Sequence, residues 1–454
     1  MRQPLLAVRV RPALTVLDNH SVAGGSPTNE IMEEAEMGNQ LDKSKQGIIF
    51  LSAVVLGFAV HGWAFPQSRE PLHASSQAAN EAAVPKPKRP PLEIAQEGYL
   101  FAGGKYSAVK GAQVMSGQLY AEFQIPARQT HRYPIVFVHG GRQSGTNFTG
   151  TPDGREGWSQ YFLREGYAVY VVDQPGRGRS AYQNDLYGPA PPVDLEFAQK
   201  RFTAIEHYNL WPQAHLHTQW PGKGTPGDPI FDQFYASQLP SMANFTLQQE
   251  LNRDALLALL EKIGPAILLT HSQSGAFCWP VVDARPDLVK ANIAVEPNGP
   301  PFYSVENIGA PDWFRDSTDQ PLPWGVTADP LTYSPPAAKA ADLAIVRQEQ
   351  PDEPSLSRCW LQKSPARQLL QLEKVPTLIV TSESSYHAAY DHCTVKYLEQ
   401  AGVHPTWIKL ADVGIHGNGH MMMVEKNNLE IAAVMSRWLE KTLPSASNSK
   451  SATH

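Results

Sequence analysis

The chain has 454 residues, of which 42% are hydrophobic, and it contains 10 Trp, 16 Tyr and 16 Phe. These residues are enough to bury a large core, so the composition supports one sizeable soluble domain. The formal net charge of −6 gives no reason to expect a nucleic acid or an anionic membrane surface as a partner.

The amino-terminal part of the chain predicts a secretion signal. An apolar run over Gly47–Phe65 follows two lysines, and its end, Gly62–Ala64, has the small-x-small form of a signal-peptidase site. Translation from Met37 would give a signal peptide of conventional size, so we interpret what precedes it as an extension of the gene model. We therefore expect a secreted protein, with residues 1–64 outside the folded domain. The alternative is a membrane anchor through residues 47–65, because an apolar run of this length can just span a bilayer.

The rest of the chain divides into a linker, one domain and a tail. Residues 65–95 are rich in proline and predict a linker, and residues 445–454 predict a disordered tail. Over residues 96–444, apolar strand-like segments alternate with amphipathic helix-like ones. This alternation predicts an α/β domain with a mainly parallel central sheet and helices on both faces. Two irregular insertions, residues 181–242 and 300–370, are expected to form a lid or cap, and the first is predicted to contain one helix over Val193–His207.

The first half of the domain carries two strand-like segments. Tyr133–Gly141 is apolar and β-branched and ends in His-Gly-Gly, where glycine lets the backbone approach a substrate closely. Gly157–Gly166 is helix-like, and Tyr167–Asp173 predicts the next strand. The glycine-rich turn that follows, up to Ser180, is interpreted as a marker of the fold that shapes a pocket floor, and not as a catalytic group.

A serine follows the next predicted strand. Ile267–Gly275 runs an apolar strand into Thr-His-Ser-Gln-Ser, with the first serine at Ser272. A hydroxyl at a sharp strand-to-helix turn is typical of a nucleophile, because the next backbone N–H then faces a developing oxyanion. The segment lacks both glycines of the G-x-S-x-G pattern. A strand that simply ends in a polar loop explains it equally well in isolation.

A serine nucleophile needs a base, and the base needs an orienting acid, for which the later strand ends offer two candidates. Glu296 ends the strand-like segment Val289–Glu296, and Glu383 follows the predicted strand Val375–Thr381. Because the carboxyl ends of parallel strands open on the same crevice, both acids are possible.

Two histidines compete for the role of the base. The last predicted strand, Pro405–Leu410, is followed by a glycine-rich loop that carries His416 and His420. We prefer His420, because it stands at the predicted start of the final helix, Met421–Leu443, behind the flexible Gly419. His416 lies deeper in the loop, where we expect it to order the loop, to hydrogen-bond His420 or to contact substrate.

Six segments together resemble a small bacterial esterase family, the esterase 713-like group of α/β-hydrolases. The segments, spread between Gly98 and Leu443, are His139–Gly141, Thr151–Trp158, Tyr161–Tyr167, Val172–Ser180, Thr270–Gly275 and Gly414–Met423. The chain order serine, acid, histidine is also that of the α/β-hydrolases. The resemblance implies an α/β-hydrolase fold with Ser272 as nucleophile, His420 as base and Glu296, in preference to Glu383, as acid.

The same resemblance implies that the backbone N–H groups of Gly141 and Gln273 form the oxyanion hole. One departure is Gly141-Arg142, where the described member of the family has two adjacent cysteines joined as a disulfide. We therefore predict a serine hydrolase that cleaves small-molecule carboxylic esters through an acyl-enzyme. The alternatives are a lactonase or thioesterase with the same triad, and a non-catalytic binding protein of this fold. A homodimer is left open.

Histidines in the first insertion raise the question of a metal. His207, His215 and His217 accompany Asp232 in an irregular segment rich in Pro, Gly and Trp. We interpret them as solvated loop histidines. Because Walker, Rossmann and zinc-ligand patterns are also missing from the sequence, we expect neither a metal nor a cofactor.

Cysteines and sequons bear on the compartment. Cys278 is expected to be buried on the helix after Ser272, while Cys359 and Cys393 are candidates for a disulfide in an oxidising compartment. Asn147 and Asn244 begin glycosylation sequons, which would make a secreted eukaryotic protein a glycoprotein.

Overall fold

The computed structural model describes residues 90–444, which lie in one compact unit. The predicted signal or anchor, most of the linker and the tail lie outside the described residues. The first strand begins at Ile94, two residues before the predicted start of the domain. Within residues 90–444, no helix combines the length and the apolar character that a bilayer crossing needs.

Strands and helices alternate through the described chain as the sequence predicts. In chain order they are β1 (Ile94–Val109), β2 (Ala112–Pro126), β3 (Ile135–Val138), α1 (Thr146–Thr149), α2 (Trp158–Arg164), β4 (Val169–Asp173), α3 (Asn184–Tyr187), α4 (Leu195–Ala198), α5 (Ile205–Tyr208), α6 (Pro229–Ala236), α7 (Phe245–Ile263), β5 (Ala266–His271), α8 (Gln273–Ala284), β6 (Val289–Val295), β7 (Val305–Gly309), β8 (Trp313–Asp316), β9 (Ile345–Arg347), β10 (Trp360–Gln362), β11 (Thr377–Thr381), α9 (Asp391–Gln400), β12 (Thr406–Lys409) and α10 (Asn428–Thr442).

The central sheet has eight strands in the order β1-β2-β4-β3-β5-β6-β11-β12. The six strands from β4 to β12 pair in parallel, whereas β1 and β2 form an antiparallel hairpin that joins β4. The hairpin turns at Lys110 and Gly111, both with positive φ, as tight two-residue hairpin turns require. The predicted mainly parallel sheet is therefore confirmed.

Helices cover both faces of the parallel strands. Every residue of β3 is buried, and its residues alternate between two apolar cores. Ile135 and Phe137 pack with side chains of α2 and α10, while Val136 and Val138 pack with side chains of α7 and α8. This double burial explains why the strand is continuously apolar in sequence. It also leaves the carboxyl edge of the sheet, where the parallel strands end, free to carry the loops of a site.

The first insertion is less regular than predicted. In place of one helix over Val193–His207, α4 runs into a π-helical turn at Gln199–Thr203 before α5 begins. The ring of Phe202, on this turn, stacks on the ring of His420 with centroids 5.7 Å apart. The π-helical turn thus interrupts the predicted helix and places a lid side chain against the site. Such turns are frequent at functional sites.

The second insertion contains two small sheets, β7-β8 and β9-β10. A disulfide joins Cys359, just before β10, to Cys393 in α9, which confirms that pairing. Cys278 is buried and free, as expected. Of the two sequons, Asn147 is buried in α1 and hydrogen-bonded to Gln143, so the folded chain does not offer it for glycosylation. Asn244 is exposed at the start of α7.

The final helix begins later than predicted. α10 starts at Asn428, and the segment from Met421 is a buried turn whose methionines pack in the core beneath the sheet. The guanidinium of Arg155 binds the backbone carbonyls of Val424, Glu425 and Lys426. The Glu425 carbonyl also accepts from the backbone N–H of Asn428 at 3.1 Å, a bond that closes a turn just before α10. His420 therefore lies in a braced loop and not at the helix start.

Candidate active site

Ser272 occupies the sharp turn between β5 and α8. Its backbone has φ 55° and ψ −123°, a strained conformation for a residue with a Cβ and one that clusters at functional sites. Gly275 permits the turn, because a Cβ there would lie 2.6 Å from the Cβ of Pro297. In the usual motif a glycine at the position of Ser274 allows such a close backbone contact. In this chain the contact falls one position later, at Gly275, so the turn forms without the two usual glycines.

Ser274, the second serine of the motif, is a structural residue. Its hydroxyl is fully buried, lies within 2.8 Å of the Val138 carbonyl, and accepts a hydrogen bond of 2.9 Å from the backbone N–H of His271. These contacts tie the end of β3 to the turn after β5. Ser272 is partly exposed and remains the candidate nucleophile.

The His-Gly-Gly loop after β3 lies against the serine turn. A Cβ on Gly140 would lie 3.1 Å from the Cβ of Ser272, and one on Gly141 would lie 3.4 Å from Oε1 of Gln273. Glycine is suited to both positions, since any larger side chain would press on the turn. Gly141 and Gln273, the two residues predicted to supply oxyanion donors, are therefore neighbours beside Ser272.

Two buried side chains hold this loop in place. His139 donates through Nδ1 to the Gly140 carbonyl at 2.8 Å and accepts through Nε2 from the backbone N–H of Gln174 at 3.1 Å. Burial and the nearby Arg177 lower the pKa of His139 to about 4, so the ring is neutral. Arg177 donates to the Gly140 carbonyl at 3.4 Å and to Oε1 of Gln273 at 3.1 Å. The turn interpreted as a fold marker thus also reaches the His-Gly-Gly loop.

Glu296 leaves the end of β6 with its carboxylate fully buried. One oxygen accepts from the backbone N–H of Ser382 at 2.8 Å and from its hydroxyl at 2.5 Å. The other accepts from the hydroxyl of Ser385 at 2.7 Å and from Nδ1 of His420 at 2.5 Å. Burial raises the pKa of Glu296 to about 7, even though the bonds from Ser382 favour the charged form.

His420 is buried with its ring beside the serine turn. The ring centroid lies 4.4 Å from that of His271, the residue before Ser272. Burial lowers the pKa of His420 well below its usual range, and the charge of Arg201 acts in the same direction. The imidazole is thus neutral at neutral pH, as a general base must be. Because Nδ1 donates to Glu296, the lone pair is on Nε2.

The loop that carries His420 is braced from two sides. The Nε2–H of His271 donates to the His420 carbonyl at 3.0 Å. Glu425 accepts from the backbone N–H of Gly419 at 3.0 Å and from the side chain of Asn418 at 2.8 Å. These bonds fix the backbone on both sides of the ring, so the loop is not the flexible segment that its glycines suggested.

Glu383, the alternative acid, is directed elsewhere. Its two oxygens accept from Nδ1 of His416 at 3.0 Å and from the backbone N–H of Gly417 at 2.8 Å. No hydrogen bond joins either Glu383 or His416 to His420 in the described part of the chain. The expectation that His416 hydrogen-bonds His420 is therefore wrong, while its expected loop-ordering role fits these contacts. Of the two acids, the structure brings Glu296 to His420.

Tyr386 is a site residue that the sequence reasoning missed. Its ring lies 4.7 Å from the ring of His420, and its phenol is near enough to the side chain of Ser272 for that hydroxyl to influence its pKa. Burial raises the pKa of this phenol, so it stays protonated. The only signal in the sequence is its position just beyond a strand end, in the segment that also carries Glu383.

The histidines of the first insertion are not all solvated. His207 and His215 are exposed, as expected, but His217 is buried between two carboxylates. Its Nδ1 lies 2.8 Å from Glu206 and its Nε2 lies 2.8 Å from Glu425. These two acids raise the pKa of His217 to about 9, against the opposing effect of burial. The interpretation of His217 as a solvated loop residue is therefore wrong.

Two other groups in residues 90–444 have a geometry that could hold a metal ion. One is Glu296 with His387 and His420, and the other is His392 with the disulfide-bonded Cys359 and Cys393. In the first group, Glu296 and His420 are bonded to each other, and His387 donates to Asp391 at 2.7 Å. Hydrogen bonds within the protein therefore account for the first group, and the disulfide accounts for the second.

The layout of the site points to one class of enzyme. The serine stands where a parallel strand meets a helix, and a carboxylate and a histidine reach the same sheet edge in the chain order Ser272, Glu296, His420. That order and that edge are typical of α/β hydrolases. A sequence model of a protein family, described as the alpha/beta hydrolase family, matches residues 135–434. The chain belongs to the alpha/beta hydrolase family.

Similar proteins agree with this assignment. The chain is 44% identical over 346 residues to "Probable secreted lipase phiG" of Fungal sp. (strain ATCC 74256), covering 76% of this chain and 89% of the relative. It is 26% identical to a solved structure described as a novel bacterial esterase, with a TM-score of 0.50 and coverage of 79% of this chain and 99% of that one. A shorter similarity, 29% over 106 residues, links it to "Protein ABHD14A" of Rattus norvegicus, covering 23% of this chain and 40% of that protein.

Proposed function

We propose that the protein is a secreted serine hydrolase that cleaves carboxylic esters through an acyl-enzyme. The observation that carries this proposal is the hydrogen bond of 2.5 Å from Nδ1 of His420 to Oε2 of Glu296, fully buried beside the turn of Ser272. A carboxylate on Nδ1 holds the imidazole in the tautomer whose Nε2 accepts a proton.

Acylation begins with the Ser272 hydroxyl. Within residues 90–444, no hydrogen bond joins this hydroxyl to His420 in the resting structure, so the side chain turns about its own bond to reach Nε2. Nε2 of His420 takes the proton as Oγ bonds to the ester carbonyl carbon, and the imidazolium is stabilised by Glu296. The proton then passes to the departing alcohol.

Deacylation repeats the proton transfers with water. His420 takes a proton from water as the hydroxyl attacks the acyl carbon, and the proton returns to Oγ of Ser272 as the carboxylic acid leaves. Ester and water are converted to acid and alcohol, so the cycle needs no cofactor.

The oxyanion of each tetrahedral intermediate is assigned to the backbone N–H groups of Gly141 and Gln273. The trans peptide between Gly140 and Gly141 points its N–H away from the carbonyl that Arg177 binds. Arg177 therefore also helps to orient this donor. Loss of one such donor typically costs ~3 kcal/mol of transition-state stabilisation.

Ester chemistry and secretion are supported by the relatives. One is named a secreted lipase and another is described as an esterase. In both cases the similarity to this chain extends over most of the relative's own length. The apolar run over Gly47–Phe65 is the matching secretion signal in this sequence. The finer membership of the esterase 713-like group is part of the same proposal.

A fluorophosphonate probe tests the proposed function. The native enzyme should be labelled, and mass spectrometry should find the adduct on Ser272. Ser272→Ala should lose both labelling and turnover of a p-nitrophenyl ester, while Ser274→Ala, checked for folding by circular dichroism, should still be labelled. Labelling that persists in Ser272→Ala, or an adduct on another residue, would refute the assignment. A native enzyme that resists the probe would favour a binding protein of this fold.

A further inference from the structure

Arginine side chains approach the Ser272 site from three different segments. They are Arg142, Arg177 and Arg201. Among residues 90–444, no carboxylate lies within ion-pairing distance of any of them. Arg179, only two residues from Arg177, shows the usual arrangement, since it pairs with both Asp173 and Glu122.

Arg177 is the most buried of the three, with 2% of its surface exposed. Within the described part of the chain, its guanidinium donates only to neutral groups: the hydroxyl of Ser241, Oε1 of Gln273 and the carbonyl of Gly140. Burial lowers its pKa to about 9, and the nearby charge of Arg142 adds to the effect. A positive charge is thus held directly behind the proposed oxyanion hole.

Arg142 directly follows the His-Gly-Gly loop. It adopts a positive φ of 64°, and its guanidinium carbon lies 4.2 Å from the ring centroid of Phe197 in the lid. Its backbone carbonyl accepts from the N–H of Leu239, also in the lid, at 2.8 Å. The side chain is therefore held at the junction of the loop and the lid.

Arg201 comes from the π-helical turn of the lid. Its guanidinium carbon lies 4.2 Å from the ring centroid of Tyr386, and that ring lies 4.7 Å from the ring of His420. The charge of Arg201 contributes to the lowered pKa values of both Arg142 and His420, after burial in each case. The arginines thus act on one another and on the site.

The acids near the site are already engaged. Glu296 binds His420 and two serines, and Asp391 binds His387 and Thr381. Asp194 acts on Arg142 from a distance, but it is exposed and caps α4 through the N–H of Phe197. Like charges gathered in a partly buried site are costly unless an anion joins them.

We propose that the ester cleaved at Ser272 carries a carboxylate, as a half-ester of a dicarboxylic acid does, and that Arg142 and Arg201 receive this second group. This inference rests on the proposed ester hydrolysis and narrows its substrate class. Planar guanidinium groups match a carboxylate with two parallel hydrogen bonds, and aromatic rings beneath them limit their movement. Arg177 adds positive potential without reaching the carboxylate itself.

Monomethyl adipate and dimethyl adipate make a matched substrate pair, because they differ only in the charge at the far end. Each is hydrolysed with release of methanol, which is measured directly. At pH 8 and low salt, kcat/KM for the monomethyl ester should exceed that for the dimethyl ester by about tenfold, and added salt should reduce the ratio. Equal values, or a preference for the neutral diester, would overturn the inference.

Variants assign the preference to residues. Arg142→Gln and Arg201→Gln should each lower the ratio of the two kcat/KM values by at least about threefold, with most of the loss in KM for the charged ester. Arg132→Gln is the matched control, since that guanidinium also lies over a tyrosine ring but in the loop before β3, at the opposite edge of the sheet. A ratio that falls equally in the control would overturn the assignment.

Labelling separates this inference from the proposed function. If neither ester turns over, adipate dianion should still slow fluorophosphonate labelling of the native enzyme at Ser272, while neutral adipamide should do so much less. Equal protection by the two compounds, or none, would overturn the charge preference. Absence of labelling would instead refute the proposed function.

Discussion

His416 donates a hydrogen bond of 3.0 Å from Nδ1 to Glu383, and the pair braces the rim of the loop that carries His420. The second oxygen of Glu383 accepts from the backbone N–H of Gly417 at 2.8 Å. Two pairs of a strand-end carboxylate and a histidine thus lie at this sheet edge, Glu383 with His416 and Glu296 with His420. Only the pair of Glu296 and His420 is buried against the serine turn.

Substitution of each acid should separate the two pairs. Glu296→Gln should lower kcat by roughly 10³–10⁴-fold, because an amide does not stabilise the imidazolium and favours the wrong tautomer. Glu383→Gln, the matched control, should lower kcat by less than about tenfold, since it weakens only the loop. Steady-state kinetics with a p-nitrophenyl ester measures both, and a more severe defect in Glu383→Gln would contradict the assignment of the acid.

The pH dependence of activity should follow Glu296. Its pKa is raised to about 7, so the carboxylate becomes protonated as pH falls through this value and no longer stabilises a charged His420. The low pKa of His420 keeps the base neutral over the same range. For a neutral ester, kcat/KM should therefore rise with pH and level off above an apparent pKa near 7. A profile that stays flat down to pH 5 would disagree.

Ser274→Ala tests the structural role of the second serine. Removal of the hydroxyl leaves the N–H of His271 buried without its acceptor, which should lower the free energy of unfolding by about 1–3 kcal/mol. Urea unfolding followed by tryptophan fluorescence measures the change. Thr318→Ala, at an exposed position in the second insertion, should change stability by less than ~0.5 kcal/mol. Equal stability of Ser274→Ala and the native protein would exclude the structural role.

His217 should make stability depend on pH. Its folded pKa is raised from 6.5 to about 9, so its contribution is fully present below pH 6.5 and is lost as pH rises through 9. A shift of this size corresponds to ~3 kcal/mol.

The melting temperature of the native protein, measured from pH 6 to 10, should therefore fall over this range. His217→Asn should melt lower at pH 6 and show a flatter profile, because Glu206 and Glu425 lose their shared cation. His215→Asn, in the exposed part of the same segment, should keep the native profile. Parallel profiles for native protein and His217→Asn would contradict this role.

Much of the fold was predictable because its signals are local. Continuous apolar runs predict strands buried on both faces, and their alternation with helices makes the sheet parallel. A parallel sheet places the carboxyl ends of its strands together, so Ser272 and the candidate acids had to share an edge. The start of α10 was not predictable, because the Arg155 side chain that captures the carbonyls around Glu425 lies 270 residues away in sequence.

The sequence by itself determined that a serine, two acids and two histidines lie at one edge of a parallel sheet, since alternating strands and helices make the strands parallel and their carboxyl ends share one edge. Only the tertiary structure decided which of them pair. In the strand pattern alone, Glu296 and Glu383 are equivalent, because each follows the end of a strand. Their pairing depends on where the loop after β11 directs the hydroxyls of Ser382 and Ser385. The contacts of Tyr386 and Arg177 could not be predicted from the sequence either. They join segments far apart in the chain, and such contacts produce no periodic pattern in the sequence.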